Sequence, residues 1–401
     1  MRNWPGKRGD GKTKTSRGKK RLRHGFTTGS AATAAAKAAL LSLLGKKVVQ
    51  GKVDIPLPEE GRLTIPIDRV GMFDGYARAT VIKNGGDDPD ATHRARISCT
   101  VLLKPGGHGN QVLLRGGKGV GRVTKPGLPI PPGEPAINPG PRKQLQKAVQ
   151  ECFLETGTAP MGLEITIEVA DGEKIARKTL NSRLGIVGGI SILGTRGTVI
   201  PFSHEAYEGT ITLSLDVAEA LGLETVALCT GGKSEKFLQA LFPELPEEAS
   251  IQVADFFAFS LKEAAQRRFS HIIYGCFFGK LIKVAQGHEY THAGRALIDF
   301  RLLAEWCKAA GINGQKAGAV VRANTAREVL DIISHDTRKE DVIQTLIGKA
   351  VSNGRCFIPP KVCLEVCLFG FDGTLLGRRL ASGEAHRQDV EGQTGDMDEN
   401  G

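Results

Sequence analysis

The strongest constraint on the fold is a change of rhythm near residue 204. Beyond it, short apolar runs rich in β-branched residues alternate with amphipathic stretches: TVALC before KSEKFLQALF, SIQVADF before FSLKEAAQRRF, then HIIYGCFFG. Apolar strands separated by helices join through crossovers, which predicts parallel βαβ units in a three-layer arrangement. The same pattern predicts a helix over 204–221 and a long amphipathic helix over 290–311. Helices are also expected in NTAREVLDIIS and EDVIQTLIGKAVSNG, and an edge hairpin of VCLEVCLF and TLLGR about the Asp372-Gly373 turn.

Residues 24–203 read differently. Alanine fills half of positions 31–44, so a helix is expected, with Thr28 as N-cap and Gly45 as the stop. KVDIPLP and RLTIPI flank a PEEG turn as a hairpin, and YARATVIK and RARISCTVLL are two further strands. A helix is expected from Arg142 to about Thr156, and a strand pair about Asp171-Gly172. This gives four segments: a basic tail over 1–23, an α+β domain over 24–203, an α/β domain over 204–382 and an acidic tail over 383–401.

Charge and cysteine content narrow the function class. Residues 1–23 hold ten Lys or Arg against one Asp, and residues 383–401 hold six acids against one Arg. Both ends read as solvated, disordered arms. The body keeps a modest positive excess that suits an acidic ligand. No run approaches the roughly 18 apolar residues of a membrane span, and residues 1–24 carry no apolar secretory core. Eight scattered cysteines without a CxxC pair read as reduced thiols, so a cytoplasmic protein is expected.

Several segments carry candidate chemistry. TVALC runs into Thr230-Gly231-Gly232 and a helix, where small residues let backbone N–H groups approach a ligand and the helix N-terminus favours anions. Asp255, 23 residues after Gly232, stands at about the spacing at which an acidic side chain meets ribose hydroxyls. Together they outline a nucleoside site, though a tight turn followed by an acidic helix cap reads the same way, and no GxGxxG is present. Ser234 either caps the helix or touches the ligand; Glu235 either binds ribose or suits the helix dipole. His24 to Ser30, with Thr27 and Thr28, is either an anion cradle or a cap. The proline-stiffened segment 135–142 aims Asn138 and Arg142 at a substrate or is a plain turn. In 194–205, Arg196, Ser203, His204 and Glu205 fall at the join between the domains, where clefts form; Ser203 also reads as a cap and His204 as a solvated helix start. Lys280 follows Gly279 at a strand's carboxyl end, where open sheets bind ligands. His288 and His292, four apart, share a helix face in this reading, but two histidines lack the third ligand of a metal site and no metal is expected.

GFTTGSAATAAAKAA, GEPAINPGPRKQL, GISILGTRGTVIPFSHEA, TGGKSE, GKLIKVAQG with Thr291-His292, and Ala323-Asn324-Thr325-Ala326 stand in one order. In that order they resemble the cobalt-precorrin-5B C1-methyltransferases of anaerobic cobalamin biosynthesis, over about residues 20–380. The resemblance implies an α+β first domain with a mixed or antiparallel sheet. It also implies a Rossmann-like second domain, with a mostly parallel sheet, that holds S-adenosylmethionine. The implied reaction is methylation of ring carbon C1 to give cobalt-precorrin-6A, with cobalt present only as part of the substrate. Thr230, Gly231, Gly232, Ser234, Glu235 and Asp255 then fall to the cofactor. Thr27, Thr28, Asn138, Arg142, Arg196, Ser203 and Lys280 fall to the carboxylate-rich substrate, and His204 or Glu205 to a proton acceptor. The implied partner is a small corrinoid, with neither nucleic acid nor membrane; a homo-oligomer is left open. Two rivals remain at this point: an NAD-dependent oxidoreductase using the same nucleoside site, and a nucleic-acid-binding protein acting through the basic arm.

Overall fold

The computed structural model describes residues 22–104 and 111–382, so nearly all of both charged tails lies outside the described residues. Its first half is built on a five-stranded sheet of β1 (Arg69–Phe73), β2 (Tyr76–Ile82), β3 (Arg96–Lys104), β4 (Val112–Gly116) and β5 (Gly162–Val169). The order is β1-β2-β3-β5-β4, antiparallel except for the parallel β5–β4 pair. The expected hairpin forms beside it from Lys52–Pro56 and Arg62–Pro66.

The alanine-rich helix α1 (Thr28–Gly45) is buried on every side from Thr28 to Leu40. Its small side chains let it lie close to β2, β3 and helix α2 (Pro139–Thr156). Lys37 is the one charged residue in this buried row: its side chain is 3% exposed, and its amine bonds Glu151 at 2.8 Å and Glu155 at 2.6 Å on α2. A buried amine without such partners would be strongly destabilising. The N-cap of α1 is Thr27, whose hydroxyl accepts from the Ser30 N–H, rather than the expected Thr28. Gly45 ends the helix, and Lys46 closes it with φ 50°.

Asp171-Gly172 does not join two strands. β5 is followed by a short helical turn, Gly172–Ala176. Gly172 is pressed onto the backbone of Gly119, where a Cβ would stand 2.1 Å from the carbonyl oxygen, and this contact turns the chain away from the sheet.

The second half begins with α3 (His204–Ala220) and continues β6 (Thr225–Cys229), α4 (Gly232–Leu241), β7 (Ser250–Gln252), α5 (Phe257–Ala265), β8 (His271–Phe277) and α6 (Phe278–Ala285). Four further helices follow: α7 (Phe300–Ala309), α8 (Gly314–Arg322), α9 (Ala326–Ser334) and α10 (Lys339–Arg355). Strands β9 (Cys363–Phe369) and β10 (Leu375–Ala381) close the sheet. Strand order is β7-β6-β8-β9-β10, parallel through β9, with β10 antiparallel at the edge. The C-terminal hairpin is therefore present, but its first strand is interior and buried at all seven positions. Leu238 of α4 packs on one face of this sheet, against Ala227, Cys229 and Ile273. Ile211 of α3, Leu261 of α5, Leu281 of α6 and Ile343 of α10 pack in the larger core on the other. The molecule is thus a mixed α/β structure with several sheets.

The long helix expected over 290–311 is not formed; only Phe300–Ala309 is helical, capped by the Asp299 carboxylate. Thr291 is pulled off a helical path because its N–H donates to the Asp255 carbonyl at 2.9 Å.

Candidate active site

β6 ends at Cys229, and its neighbours β7 and β8 lie on opposite sides of it. The connection through α4 runs to one side and the next crossover returns to the other. Such a reversal opens a crevice at the carboxyl ends of the strands. Thr230-Gly231-Gly232 forms its rim. A Cβ on Gly231 would meet nothing within 4 Å, and one on Gly232 only the Gln252 amide nitrogen at 4.0 Å. The glycines thus face open space, above the free N–H groups of the first turn of α4. Ser234 is fully buried and its hydroxyl is engaged locally: it donates to the Gly231 carbonyl at 2.8 Å, and the Gly231 N–H donates to it at 3.1 Å. The structure thus places Ser234 as a cap for this turn.

Lys280, in the first turn of α6, crosses the crevice floor. Its amine donates to the Ala254 carbonyl at 2.5 Å and the Thr230 carbonyl at 3.4 Å, and pairs with Asp255 Oδ1 at 3.2 Å. Asp255 lies three residues beyond the end of β7, after Ala254 at φ 46°. Its carboxylate also accepts from the Thr291 hydroxyl at 3.0 Å. Thr230, Asp255 and Lys280, separate in sequence, are therefore one cluster.

His204 sits beside this cluster. Its ring is 5.3 Å from that of Phe256 and 5.0 Å from that of Tyr290, and the Tyr290 hydroxyl is 3.4 Å from Nε2. Burial, and then the nearby Asp255 carboxylate, push the phenols of Tyr207 and Tyr290 above their ordinary range. Tyr290 was not singled out in the sequence, and only its neighbours Thr291 and His292 hinted at it. His288 and His292 do not share a helix face. His288 meets the Leu297 carbonyl and His292 accepts from the Gly294 N–H. No group of three or more metal-ligating side chains occurs among the described residues.

The Gly-rich segments of the first half converge on one another. Thr27 N–H donates to the Gly197 carbonyl, and the Leu193 N–H donates to the Thr28 hydroxyl at 2.8 Å. Asn138 N–H donates to the Ile192 carbonyl; its side chain makes no capping bond to α2. Arg142 donates from Nε to the Ile137 carbonyl at 2.8 Å, leaving its terminal nitrogens 3.8 Å from Glu134 at nearest. Arg196 pairs with Glu205 at 2.6 Å, and Ser203 caps α3 through the Ala206 N–H. Leu193, Ile200 and Phe202 are exposed in the same segment. The buried hydroxyls of Thr27 and Thr28 hold the loops together, while Asn138 and Arg142 are half-buried and Arg196 is exposed.

The CbiD family model matches residues 15–201, and the model of the CbiD C-terminal domain matches residues 290–379. Over 380 residues the chain is 48% identical to the cobalt-precorrin-5B C(1)-methyltransferase of Nitratidesulfovibrio vulgaris, covering 93% of this chain and 97% of that protein. The chain belongs to the CbiD family. Proteins of the same name from Geobacillus sp. (strain WCH70) and Priestia megaterium are 44% and 45% identical to it, covering 90% and 91% of this chain and 98% of each of those proteins. The crystal structure of a cobalamin biosynthesis protein (cbiD) from Archaeoglobus fulgidus is 28% identical, covers 66% of this chain and 79% of that chain, and has a TM-score of 0.36.

In this CbiD protein the two halves also meet through Glu235. That residue is 3% exposed, and its carboxylate is held by both terminal nitrogens of Arg183 from the first half. It also accepts from the Gln252 amide at 2.7 Å. A groove of about 590 Å³ runs beside it, lined by Arg183, Gly232, Gln239, Leu245 and Gln252 among others. Arg183 and Gln252 are missed by the sequence reading: Arg183 lies outside the Gly-rich motifs, and Gln252 is not the acidic residue sought after the Thr230-Gly231-Gly232 turn.

Proposed function

We propose that this CbiD protein methylates C1 of cobalt-precorrin-5B in cobalamin biosynthesis, giving cobalt-precorrin-6A, with S-adenosylmethionine as the methyl donor. The observation that carries the reading is near-complete coverage, at 48% identity, by a protein of that name. The open space above Gly231 and Gly232, at the start of a helix that follows a parallel strand, supports it. The parallel sheet of the second half is then a Rossmann-like cradle. When bound, the donor supplies a methyl group already activated on a sulfonium, which leaves as a neutral thioether as the ring carbon gains the methyl. No covalent nucleophile is needed from the chain.

The protein's work is alignment, which alone accounts for several orders of magnitude in rate. Thr230, Gly231 and Gly232 hold the nucleoside end, with Ser234, Glu235 and Asp255 fixing the rim from beneath. Lys280 brings positive charge to the crevice while tying Asp255 to the Thr230 turn. On the substrate side, Arg142 and Arg196 are read as partners for the rim carboxylates, with Asn138 beside them. Leu193, Ile200 and Phe202 offer an apolar bed for the flat face of the macrocycle. Thr27, Thr28 and Ser203 hold the shape of these loops. His204, steadied by Tyr290, is the better placed proton acceptor, since Glu205 is paired with Arg196.

No helix among the described residues is long and apolar enough to cross a membrane. The cysteines form no disulfide among the described residues, which suits a reducing compartment, and we assign the enzyme to the cytoplasm. The deciding experiment is incubation with methyl-labelled S-adenosylmethionine and cobalt-precorrin-5B. Mass spectrometry should show one labelled methyl on the tetrapyrrole; an unlabelled tetrapyrrole refutes the assignment.

A further inference from the structure

Gln252 occupies the position from which an open parallel sheet reads ribose. It is the last residue of β7, lies in register with Cys229 at the end of β6, and follows Gly232 by 20 residues. Its amide nitrogen is the nearest atom to the space above Gly232, and it donates to Glu235 Oε2 at 2.7 Å. Glu235 is itself clamped by Arg183, which also approaches Glu247 at 3.5 Å. A carboxylate engaged by arginine accepts and does not donate, so the nitrogen of Gln252 faces Glu235 and its carbonyl oxygen faces away. Among the described residues nothing donates to that oxygen, and the groove of about 590 Å³ opens beside it. Asp255 differs: its carboxylate is occupied by Lys280 and Thr291.

We infer that the Gln252 carbonyl oxygen accepts a hydrogen bond from a ribose hydroxyl of the methyl donor, and that Glu235, clamped by Arg183, is the positioning residue that fixes the amide. This rests on the reading of S-adenosylmethionine as donor, and it moves sugar recognition from Asp255 to Gln252. It also ties nucleoside recognition to the packing of the two halves, because Arg183 comes from the first.

Calorimetric titration of the full chain with S-adenosylhomocysteine and its 2′-deoxy and 3′-deoxy analogues tests the assignment. The wild-type protein should bind one deoxy analogue on the order of 10-fold more weakly than the parent. Gln252→Met should bind the parent as weakly as that analogue and lose the discrimination. Glu235→Gln, which lets the amide turn over, should narrow the discrimination while circular dichroism stays unchanged. Asp255→Asn should weaken all three ligands alike. Equal binding of all three by the wild type overturns the inference without any variant, as does a Gln252→Met protein that still discriminates. A folded wild-type protein that binds no S-adenosylhomocysteine instead removes the donor reading itself, and this assignment with it.

Discussion

Glycines serve opposite ends at the loop junction of the first half and at the strand-end turn of the second. At the junction, Gly25, Gly140 and Gly194 are demanded by the protein. A Cβ on Gly25 would stand 2.3 Å from the Gly85 carbonyl carbon, and one on Gly140 2.7 Å from the Gly194 oxygen. Gly194, at φ 143°, would put one 2.4 Å from the Thr27 hydroxyl. At the strand-end turn, a Cβ on Gly231 would meet no atom within 4 Å. The first set lets loops pack tightly against one another; the second leaves space that no side chain fills. Glycines of identical appearance in the sequence therefore mark an internal joint in one place and open space in the other.

That contrast breaks most easily at its strongest point. Gly25→Ala should cost about 3 kcal/mol in urea unfolding, because the obstructing atoms are backbone and cannot turn aside. Gly231→Ala should leave the urea midpoint in place yet weaken S-adenosylhomocysteine binding on the order of 10-fold by calorimetry; a stable variant with normal affinity would falsify the ligand reading of this turn. Arg142→Ala should raise the KM for the corrinoid by about 10-fold while leaving cofactor affinity intact, separating the substrate loops from the strand-end crevice.

Acid sharpens the comparison further. Hydrogen bonds from Arg62, and then Lys37, outweigh the cost of burial and hold the Glu151 carboxyl down to about 2. Burial raises Asp90, but Lys83 and Thr92 outweigh it and its net shift is also downward. A carboxyl with a lowered folded pKa adds stability above its ordinary value and loses that contribution as pH falls through the folded one. Thermal melts should therefore decline from about pH 4.5 toward pH 2, and Glu151→Gln should start lower and decline less. The smallest effect is expected from deleting residues 1–20: methyl transfer should be unchanged, whereas a function residing in the basic arm would be lost.

Much of this was legible locally. The βαβ rhythm identified β6, β7 and β8 because strands buried on both faces must be apolar runs. Ser203 was readable as a cap, and Lys280 as a strand-end residue, from their immediate neighbours. Thr27 displaced Thr28 as the cap of α1 because Thr28's hydroxyl binds Leu193, more than 160 residues away. The helix over 290–311 failed for a similar reason: periodicity cannot register that Thr291 is held by Asp255.

The sequence by itself determined the alternation of elements, the alanine helix, the glycine turns and the family, since all are carried by neighbouring residues or ordered motifs. Only the tertiary structure decided which polar groups remain free for a ligand. Asp255 is occupied by Lys280 and Thr291, Ser234 by its own turn, and Glu235 by Arg183 and Gln252. A hydrogen-bonding group has few partners to give, and whether they are already taken depends on chains that meet only in the folded protein.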